Sequence, residues 1–453
     1  MKKSLLFLPV VFMLTITTGL FATPPLQAID SLYMQGIKEF YAFAREHKEE
    51  IWPGMTLGPL CVYRMGGPAF LYNHPEPPPS FVEIASGLYM GQQSEQQLFG
   101  STTKPINGVL TAIADYGSTQ LNHPNEFWAL AFHELHHVWQ LTGVPELNFD
   151  NPALLVTYPE NYQNDALKIQ EHNWLYQMVM AEDEAEFRSL LNRFYSSRLV
   201  RAEIIGDYLA YDTSVETCEG PAAYNEYRFY ELFSQQPPHL KNHYGHAHFW
   251  KLLLQPRYGR ENLRARHLAS GMALCLLLDR YANDWKTDFY ASGIDLYDYF
   301  VQQLQPKPVE VYPQEELLAM SRFFIHSQQQ EREAYLKKFY EQAGTKIVLH
   351  FASTPGFRGF DPMNAQAINE NTILHKTMLN LARGDNRFFV TGREVVATFT
   401  NQLWFVNKVI FFVPNDSIEL TDNEININIE GVNIRWKGKV KERGEKMVWM
   451  ECE

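Results

Sequence analysis

The sequence has few cysteines and relatively few positive charges. Only four cysteines occur in 453 residues, and their spacing matches neither a zinc ribbon nor a redox pair. Aspartate and glutamate total 52, against 39 lysines and arginines, so the net charge is −13. No long basic run offsets that charge. Nucleic acid and anionic membranes are therefore disfavoured as the main partners.

Long apolar runs are also absent, except at the N-terminus. In MKKSLLFLPVVFMLTITTGLFATPPLQAID, Lys2 and Lys3 precede an apolar run that has no charge before Asp30. This layout predicts a secretory signal over residues 1–28. The chain is then exported, periplasmic or secreted, with no stable membrane insertion after cleavage. An uncleaved N-terminal anchor is the alternative. Export would permit disulfides, with three pairings open among the four cysteines.

The overall composition, with 45% hydrophobic residues, is typical of a globular protein. Its patterning predicts three portions: a mixed α/β part over 29–121, a helical region over 122–343 and a C-terminal antiparallel β domain over 344–453. The fold class is therefore α+β, with a mainly helical core. Within the helical region, the spacing of apolar residues predicts one long helix over residues 172–205.

The stretch HELHH places three histidines and a glutamate on one predicted helix. His133 and His137 are four residues apart, so both imidazoles lie on one face and can meet one Zn²⁺. The side chain of Glu134 is rotated by about 100° around the helix from that of His133. This position suits a general base that acts on a metal-bound water better than it suits a metal ligand. Pro124 and Gly143 are suited to the two ends of this helix. The alternative is an exposed polar helix face with no metal, and His136 is interpreted as a surface or supporting histidine.

A zinc site of this type needs a third ligand. No histidine follows HELHH at the offset that an H-E-x-x-H-x-x-G-x-x-H pattern requires, so we look for a glutamate on a later helix. Glu219 is the best candidate, because the small residues beside it, such as Gly220, would let its helix lie close to the histidine helix. Three other glutamates remain as rivals: Glu182, Glu186 and Glu216.

HELHH followed by EGPAAYNEY resembles the glutamate zincins, or gluzincins, whose second motif often reads E-G-x-A-x-Y. The resemblance implies a zincin-like metallopeptidase core with His133, His137 and Glu219 as metal ligands and Glu134 as the base. More loosely, residues 50–450 resemble a group of exported bacterial proteins without an assigned substrate. The G-x-M-E-N element of the aminopeptidase branch is absent, so the sequence gives no basis for recognition of a free N-terminus.

Other residues have weaker claims to a role. Tyr224, Tyr227 and His267 are candidates for stabilising a developing oxyanion. The stretch HYGHAHFW predicts loop histidines near a substrate cleft, or simple surface residues, rather than a second metal site. AIADYG is a candidate edge strand for aligning a peptide, or else an ordinary core strand. GFRGFDPMN predicts a loop stabilised by turn contacts.

The sequence thus predicts an exported zinc metallopeptidase-like hydrolase that acts on a peptide or protein substrate. Two alternatives remain: a catalytically inactive binding protein with a zincin fold, and a zinc hydrolase of a non-peptide bond. The substrate, the choice between endo- and exo-cleavage and the oligomeric state are not determined by the sequence.

Overall fold

The computed structural model describes residues 26–96, 98–118, 123–144, 152–259, 263–361, 364–369, 371–400, 403–444 and 446–453. Nearly all of the predicted signal, residues 1–25, lies outside the described residues. Over the described ranges the chain is α+β, with a C-terminal sheet rich in antiparallel strands. The prediction of an α+β chain with antiparallel strands at its C-terminal end is therefore confirmed. In the described part of the chain, no helix has the length and apolarity needed to cross a membrane.

The helices precede the C-terminal strands in the chain. They are α1 (Ala28–Ile51), α2 (Gln93–Gln96), α3 (Pro124–Gly143), α4 (Pro152–Thr157), α5 (Tyr162–Met180), α6 (Glu184–Ile205), α7 (Leu209–Phe233), α8 (Pro238–Gly245), α9 (Lys251–Leu254), α10 (Leu263–Tyr281), α11 (Trp285–Ser292), α12 (Leu296–Leu304) and α13 (Glu315–Tyr340).

The strands form two sheets. The first sheet contains β1 (Leu60–Tyr63), β2 (Pro68–Tyr72), β3 (Val82–Ala85), β4 (Leu88–Gln92), β5 (Thr102–Ile106) and β6 (Val109–Asp115). The second contains β7 (Thr345–Phe351), β8 (Gly356–Phe360), β9 (Ala365–Asn369), β10 (Thr372–His375), β11 (Met378–Arg383), β12 (Asn386–Thr391), β13 (Val395–Phe399), β14 (Val406–Val413), β15 (Glu419–Leu420), β16 (Glu424–Ile429), β17 (Val432–Arg443) and β18 (Met447–Cys452).

The chain divides into two compact units, one of residues up to Glu46 with Leu57–Val138, the other of His47–Thr56 with Trp139–Glu453. The division falls inside α3, between Val138 and Trp139. The predicted domain boundaries near residues 121 and 343 stay a prediction, although the change from helices to strands does fall between Tyr340 and Thr345.

In the first unit, α1 and the histidine helix α3 pack against each other through aromatic rings. Trp128 of α3 stacks on Phe40 of α1, with ring centroids 5.0 Å apart. Gly36 permits this approach, since a Cβ there would lie 2.8 Å from the Trp128 ring. The sheet has the order β3-β4-β2-β1-β6-β5, with β1 and β6 parallel. Strand β6, which carries AIADYG, is therefore an interior strand, so the edge-strand interpretation is wrong and the core-strand alternative holds.

In the second unit, α7 and α10 pack backbone against backbone. A Cβ on Gly220 would lie 2.7 Å from the Gly271 Cα, and one on Gly271 would lie 2.8 Å from the Glu216 carbonyl oxygen. Such distances leave no room for a side chain at either position. Gly220 was expected to bring α7 close to the histidine helix. The close backbone contact that Gly220 makes is with α10.

One helix prediction in this unit is wrong. Residues 172–205 form parts of two helices, because α5 ends at Met180 and α6 starts at Glu184. Asp183 starts the second helix, since its side chain accepts a hydrogen bond from the Glu186 backbone N–H at 2.8 Å. The apolar spacing continues across the break, so the pattern alone conceals it.

The C-terminal sheet folds back on itself. Strands β12 and β14 are four positions apart in the sheet order, which corresponds to roughly 19 Å in a flat sheet. Yet the rings of Phe388 and Phe411, on those two strands, have centroids 5.4 Å apart. Both belong to one buried apolar cluster that draws on most of the strands.

Two loop predictions fail and one thiol prediction holds. GFRGF is strand β8 rather than a loop, although Asp361 behind it does accept turn hydrogen bonds from Asn364 and Thr377. The histidines of HYGHAHFW lie in α8 and in a π-helical turn, His246–Trp250, and not in a loop. His243 and His246 are exposed, as the surface alternative predicts. All four cysteines are described and buried, and no disulfide joins them; Cys275 is thus the buried thiol that the sequence predicts.

Candidate metal centre

The structure brings together the two histidines predicted as ligands and the predicted glutamate. The ligand atoms of His133, His137 and Glu219 all lie within 4.8 Å of one another. His133 is 4% exposed and Glu219 is 7% exposed, so two of the three side chains are buried. This group could hold a metal ion. Which metal it prefers is not fixed by these residues alone.

The spacing of the imidazoles fits a tetrahedral ion. The Nε2 atoms of His133 and His137 are 3.0 Å apart, while a Zn²⁺ bound at roughly 2.0–2.1 Å by two imidazoles separates their nitrogens by about 3.3–3.4 Å. The two rings therefore already point at one place, to within a few tenths of an ångström. Two nitrogens and one carboxylate oxygen form a donor set used in catalytic zinc sites and in non-haem iron sites.

Glu134 lies on the same buried stretch of α3. Its side chain is 6% exposed. Because Glu134 follows His133 directly, the helix rotates its side chain about 100° away from that of His133. A carboxylate at this position is adjacent to the candidate metal ligands without being one of them. The role of Glu134 as a general base stays a prediction.

His136 differs from its predicted environment. It is 0% exposed, so the surface interpretation is wrong. Burial lowers the pKa of His136 well below its usual value, and the neighbouring His137 and His133 lower it further. The imidazole is consequently neutral at ordinary pH. The surface prediction failed because α3 is buried on all of its faces over this turn, where the neighbouring Leu135 and Phe132 are buried as well.

The rival glutamates are placed elsewhere. Glu182 and Glu186 are exposed, one just before α6 and the other in its first turn. Glu216 is fully buried, but the Arg198 guanidinium binds its two oxygens at 2.6 and 2.9 Å. Within the described residues, only Glu219 joins the histidines in a group able to hold a metal.

Glu219 has a cationic neighbour that the sequence analysis missed. Nη2 of Arg264 donates to Oε1 of Glu219 at 2.8 Å, and the Arg264 side chain is 27% exposed. An arginine bound to one carboxylate oxygen fixes the rotamer of the carboxylate and leaves the other oxygen for a further contact. The stretch ENLRARHLASG gave no signal of this role, because the pairing depends on how α10 packs on α7.

A second missed residue, Gln140, is one turn after His137 on α3. It is fully buried. Its amide Nε2 donates to the Cys218 carbonyl at 3.0 Å and to the Tyr290 hydroxyl at 2.9 Å. The signal available in the sequence was Gln140 at three residues after His137.

The helix that carries Glu219 is anchored by a buried ionic network. Arg198 binds Glu216 and also Glu171, the latter at 2.9 Å. Ser270 donates to Glu216 at 2.5 Å. Burial raises the pKa of Glu216, but the charges and hydrogen bonds of Arg198 and His267 together outweigh burial and lower the pKa to about 2. Glu216 is therefore ionised and fixed one turn before Glu219.

The network extends to the start of α7. Arg201 binds Asp212 and Glu171, and His267 lies 3.0 Å from Asp212 through Nε2. All four side chains are fully buried. Burying this many charges is costly unless each is paired, so the pairing fixes the positions of α5, α6, α7 and α10 relative to each other.

The three oxyanion candidates have partners outside the metal group. His267 is held by Asp212 in the network. The Tyr224 hydroxyl donates to Asp279 at 2.5 Å and accepts from Lys286 at 2.7 Å. Burial raises the pKa of Tyr227, and the adjacent Glu231 raises it further. These contacts favour none of the three as the oxyanion donor.

Comparisons with known proteins add no identification: no family model, no curated protein and no solved structure matches the chain. The gluzincin resemblance therefore depends on its two motifs and stays a prediction.

Proposed function

We propose that the chain is an exported zinc-dependent metallopeptidase with a zincin-like core. The observation that supports this proposal is the convergence of His133, His137 and Glu219, whose ligand atoms lie within 4.8 Å of one another. Two of these residues share one helix and the third comes from α7, far along the chain. Zinc is favoured over iron because a glutamate directly follows the first histidine, as the H-E-x-x-H chemistry requires. The proposed export is supported by the N-terminal sequence alone.

In this proposal, His133, His137 and Glu219 hold the ion. When bound, Zn²⁺ would supply Lewis acidity and lower the pKa of a water. Arg264 holds one oxygen of Glu219 and so orients that carboxylate. Gln140 and the Arg198–Glu216 pair position the two helices that provide the ligands, which limits how far the ligands have to move when the ion binds.

Glu134 acts as the general base. Its carboxylate takes a proton from the attacking water and then gives it to the leaving nitrogen of the scissile peptide. A buried position protects this carboxylate from competing water. Replacing Glu134 with glutamine keeps the size of the side chain but removes its basicity, so the substitution separates chemistry from metal binding.

The test compares the purified chain with its Glu134→Gln variant. We expect zinc in both by elemental analysis, with iron measured in the same samples, and cleavage of casein or a mixed peptide library only by the unchanged chain. Glu126→Gln, in the first turn of the same helix, serves as the matched control and should keep cleavage. Glu219→Ala should lose the metal.

The possible outcomes separate the alternatives. Zinc in both proteins with no cleavage of any peptide contradicts the peptidase and favours the inactive binding protein. Cleavage of ester surrogates without peptide cleavage favours a hydrolase of a non-peptide bond. Metal retained in both Glu219→Ala and His137→Ala contradicts the proposed centre itself.

A further inference from the structure

A second candidate site lies at one edge of the C-terminal sheet. Strand β8 stands at the end of the sheet order and pairs with β11 on one side. On its other side, no strand of the described chain pairs with it. An edge strand presents a row of backbone N–H and C=O groups to any extended chain that lies alongside.

A bulge in β8 turns two aromatic side chains to the same face. In the register with β11, Leu381 lies opposite Phe357 and Asn380 lies opposite Gly359, so Arg358 is the extra residue. Side chains normally alternate between the faces of a strand, and one inserted residue reverses that alternation. Phe357 and Phe360 accordingly both pack against the same apolar core.

The two phenylalanines and the turn after β13 form an aromatic cavity. The Trp404 ring packs against both, with its centroid 4.9 Å from that of Phe357 and 6.0 Å from that of Phe360. Phe405 stands at the rim and is 45% exposed. The cavity volume is about 770 Å³, within the range typical of ligand sites. Its lining residues are Thr354, Pro355, Gly356, Phe357, Arg358, Gly359, Phe360, Trp404 and Phe405.

One cation lines this otherwise apolar cavity. Arg358 is exposed, and its side chain forms no hydrogen bond or ion pair with any other described residue. The chain as a whole carries a net charge of −13. A guanidinium without an internal partner can bind a carboxylate through two parallel hydrogen bonds.

We propose that the β8 edge binds an extended peptide, with one apolar side chain in the cavity and a carboxylate on Arg358. The backbone groups of the edge strand select an extended chain. The aromatic rings select an apolar or aromatic residue, and Arg358 selects an acidic one. The site is separate in sequence from the candidate metal centre and does not depend on it, so it serves a peptidase and a binding protein equally well.

The test measures peptide binding in the absence of cleavage. The full chain carrying Glu134→Gln is titrated into a fluorescent peptide of about eight residues, alternating threonine and valine, with one central phenylalanine and one glutamate two residues on, amidated at its C-terminus. We expect saturable binding by fluorescence anisotropy. A peptide with lysine in place of glutamate should bind about tenfold more weakly or worse, since one charge-assisted hydrogen bond contributes about that factor.

Substitutions then locate the site. Arg358→Gln should remove the preference for glutamate over lysine, and Phe405→Ala should weaken binding of both peptides. The matched controls are Arg387→Gln, at an exposed arginine on β12, and Phe323→Ala, at a phenylalanine of α13 that is 64% exposed. Both controls should bind like the parent.

Three results would each overturn the proposal. Equal binding of the acidic peptide by the parent and Arg358→Gln excludes the role of the arginine. A peptide with proline on both sides of the phenylalanine that binds as well as the original excludes pairing with the strand edge. Binding of 3-phenylpropionate alone, with no peptide bound, indicates a small-molecule site instead. Because Glu134 is already replaced, loss of cleavage cannot mimic any of these results.

Discussion

The side-chain amide of Gln140 donates a hydrogen bond to the backbone carbonyl of Cys218 at 3.0 Å. Gln140 follows His137 by one turn of α3, and Cys218 precedes Glu219 directly. One buried hydrogen bond thus joins the turn after a candidate histidine ligand to the residue before the candidate glutamate ligand. Because Gln140 and His137 belong to one continuous helix, the hydrogen bond that holds Gln140 also restrains His137 against a shift along the helix axis.

Replacing Gln140 with leucine should weaken metal binding without unfolding the chain. The substitution removes the two hydrogen bonds of the amide and puts an apolar side chain of similar size in its place. We expect zinc affinity to fall by about 10- to 100-fold, which is usual when support for a metal ligand is lost. Competition with a chromogenic chelator measures it, and the absorption of bound Co²⁺ reports the ligand geometry. Leu141→Ala, at an exposed neighbour, is the control. Unchanged affinity and spectrum would show that Gln140 is only a packing residue.

Adding a methyl group at Gly271 should disturb the helix that carries Glu219. A Cβ there would lie 2.6 Å from the Gly220 Cα, so α10 and α7 have to separate. We expect a loss of about 1–3 kcal/mol in the free energy of unfolding, measured by urea denaturation, together with weaker zinc binding. Gly143→Ala is the control, since its Cβ would meet the Trp139 ring at an ordinary 3.5 Å. Equal stability of the two variants would contradict the close packing.

Breaking the buried ionic network should be far more costly than breaking a surface pair. Arg198→Met leaves Glu216 and Glu171 with one fewer cation in a fully buried setting. The expected loss is about 3–5 kcal/mol. Lys337→Met is the comparison, because Lys337 pairs with Glu341 at 4.0 Å on the exposed face of α13 and such pairs contribute about 0–1 kcal/mol. Urea midpoints of the two variants that differ little would be inconsistent with an organising role for the network.

The C-terminal sheet should lose stability in mild acid because of His375. Burial lowers the pKa of His375 from 6.5 to about 3, and neither ring nitrogen has a hydrogen-bond partner among the described residues. Below pH 6.5 the unfolded chain takes up a proton that the folded chain does not. Stability therefore falls by up to about 1.4 kcal/mol per pH unit between about pH 6.5 and pH 3, and is unaffected by this group above that window.

The variant that tests this is His375→Leu. Relative to the unchanged chain, it should gain about 2 kcal/mol in the free energy of unfolding when the pH is lowered from 7.5 to 5. His326→Asn, at an exposed histidine of α13, should show no such gain. A parallel pH dependence of His375→Leu and the parent would assign the acid sensitivity to other groups.

Much of the local structure follows from the sequence. The helix Pro124–Gly143 begins and ends where the proline and glycine predict, because these two residues fix or free the backbone irrespective of their neighbours. The alternation in EININI likewise gives strand β16. The break at 181–183 was missed, since an apolar pattern with the right spacing can continue through a capping residue.

For the site, the sequence by itself determined which residues are chemically able to bind a metal, because four-residue spacing puts His133 and His137 on one helix face. It did not determine which glutamate joins them. That choice depends on the packing of α7, which is fixed by the Gly220–Gly271 contact, by the ion pairs of Arg198 and by the Gln140 hydrogen bond. Each of these joins residues far apart in the chain. Only the tertiary structure could show that Glu216 is held in the network while Glu219 lies with the histidines.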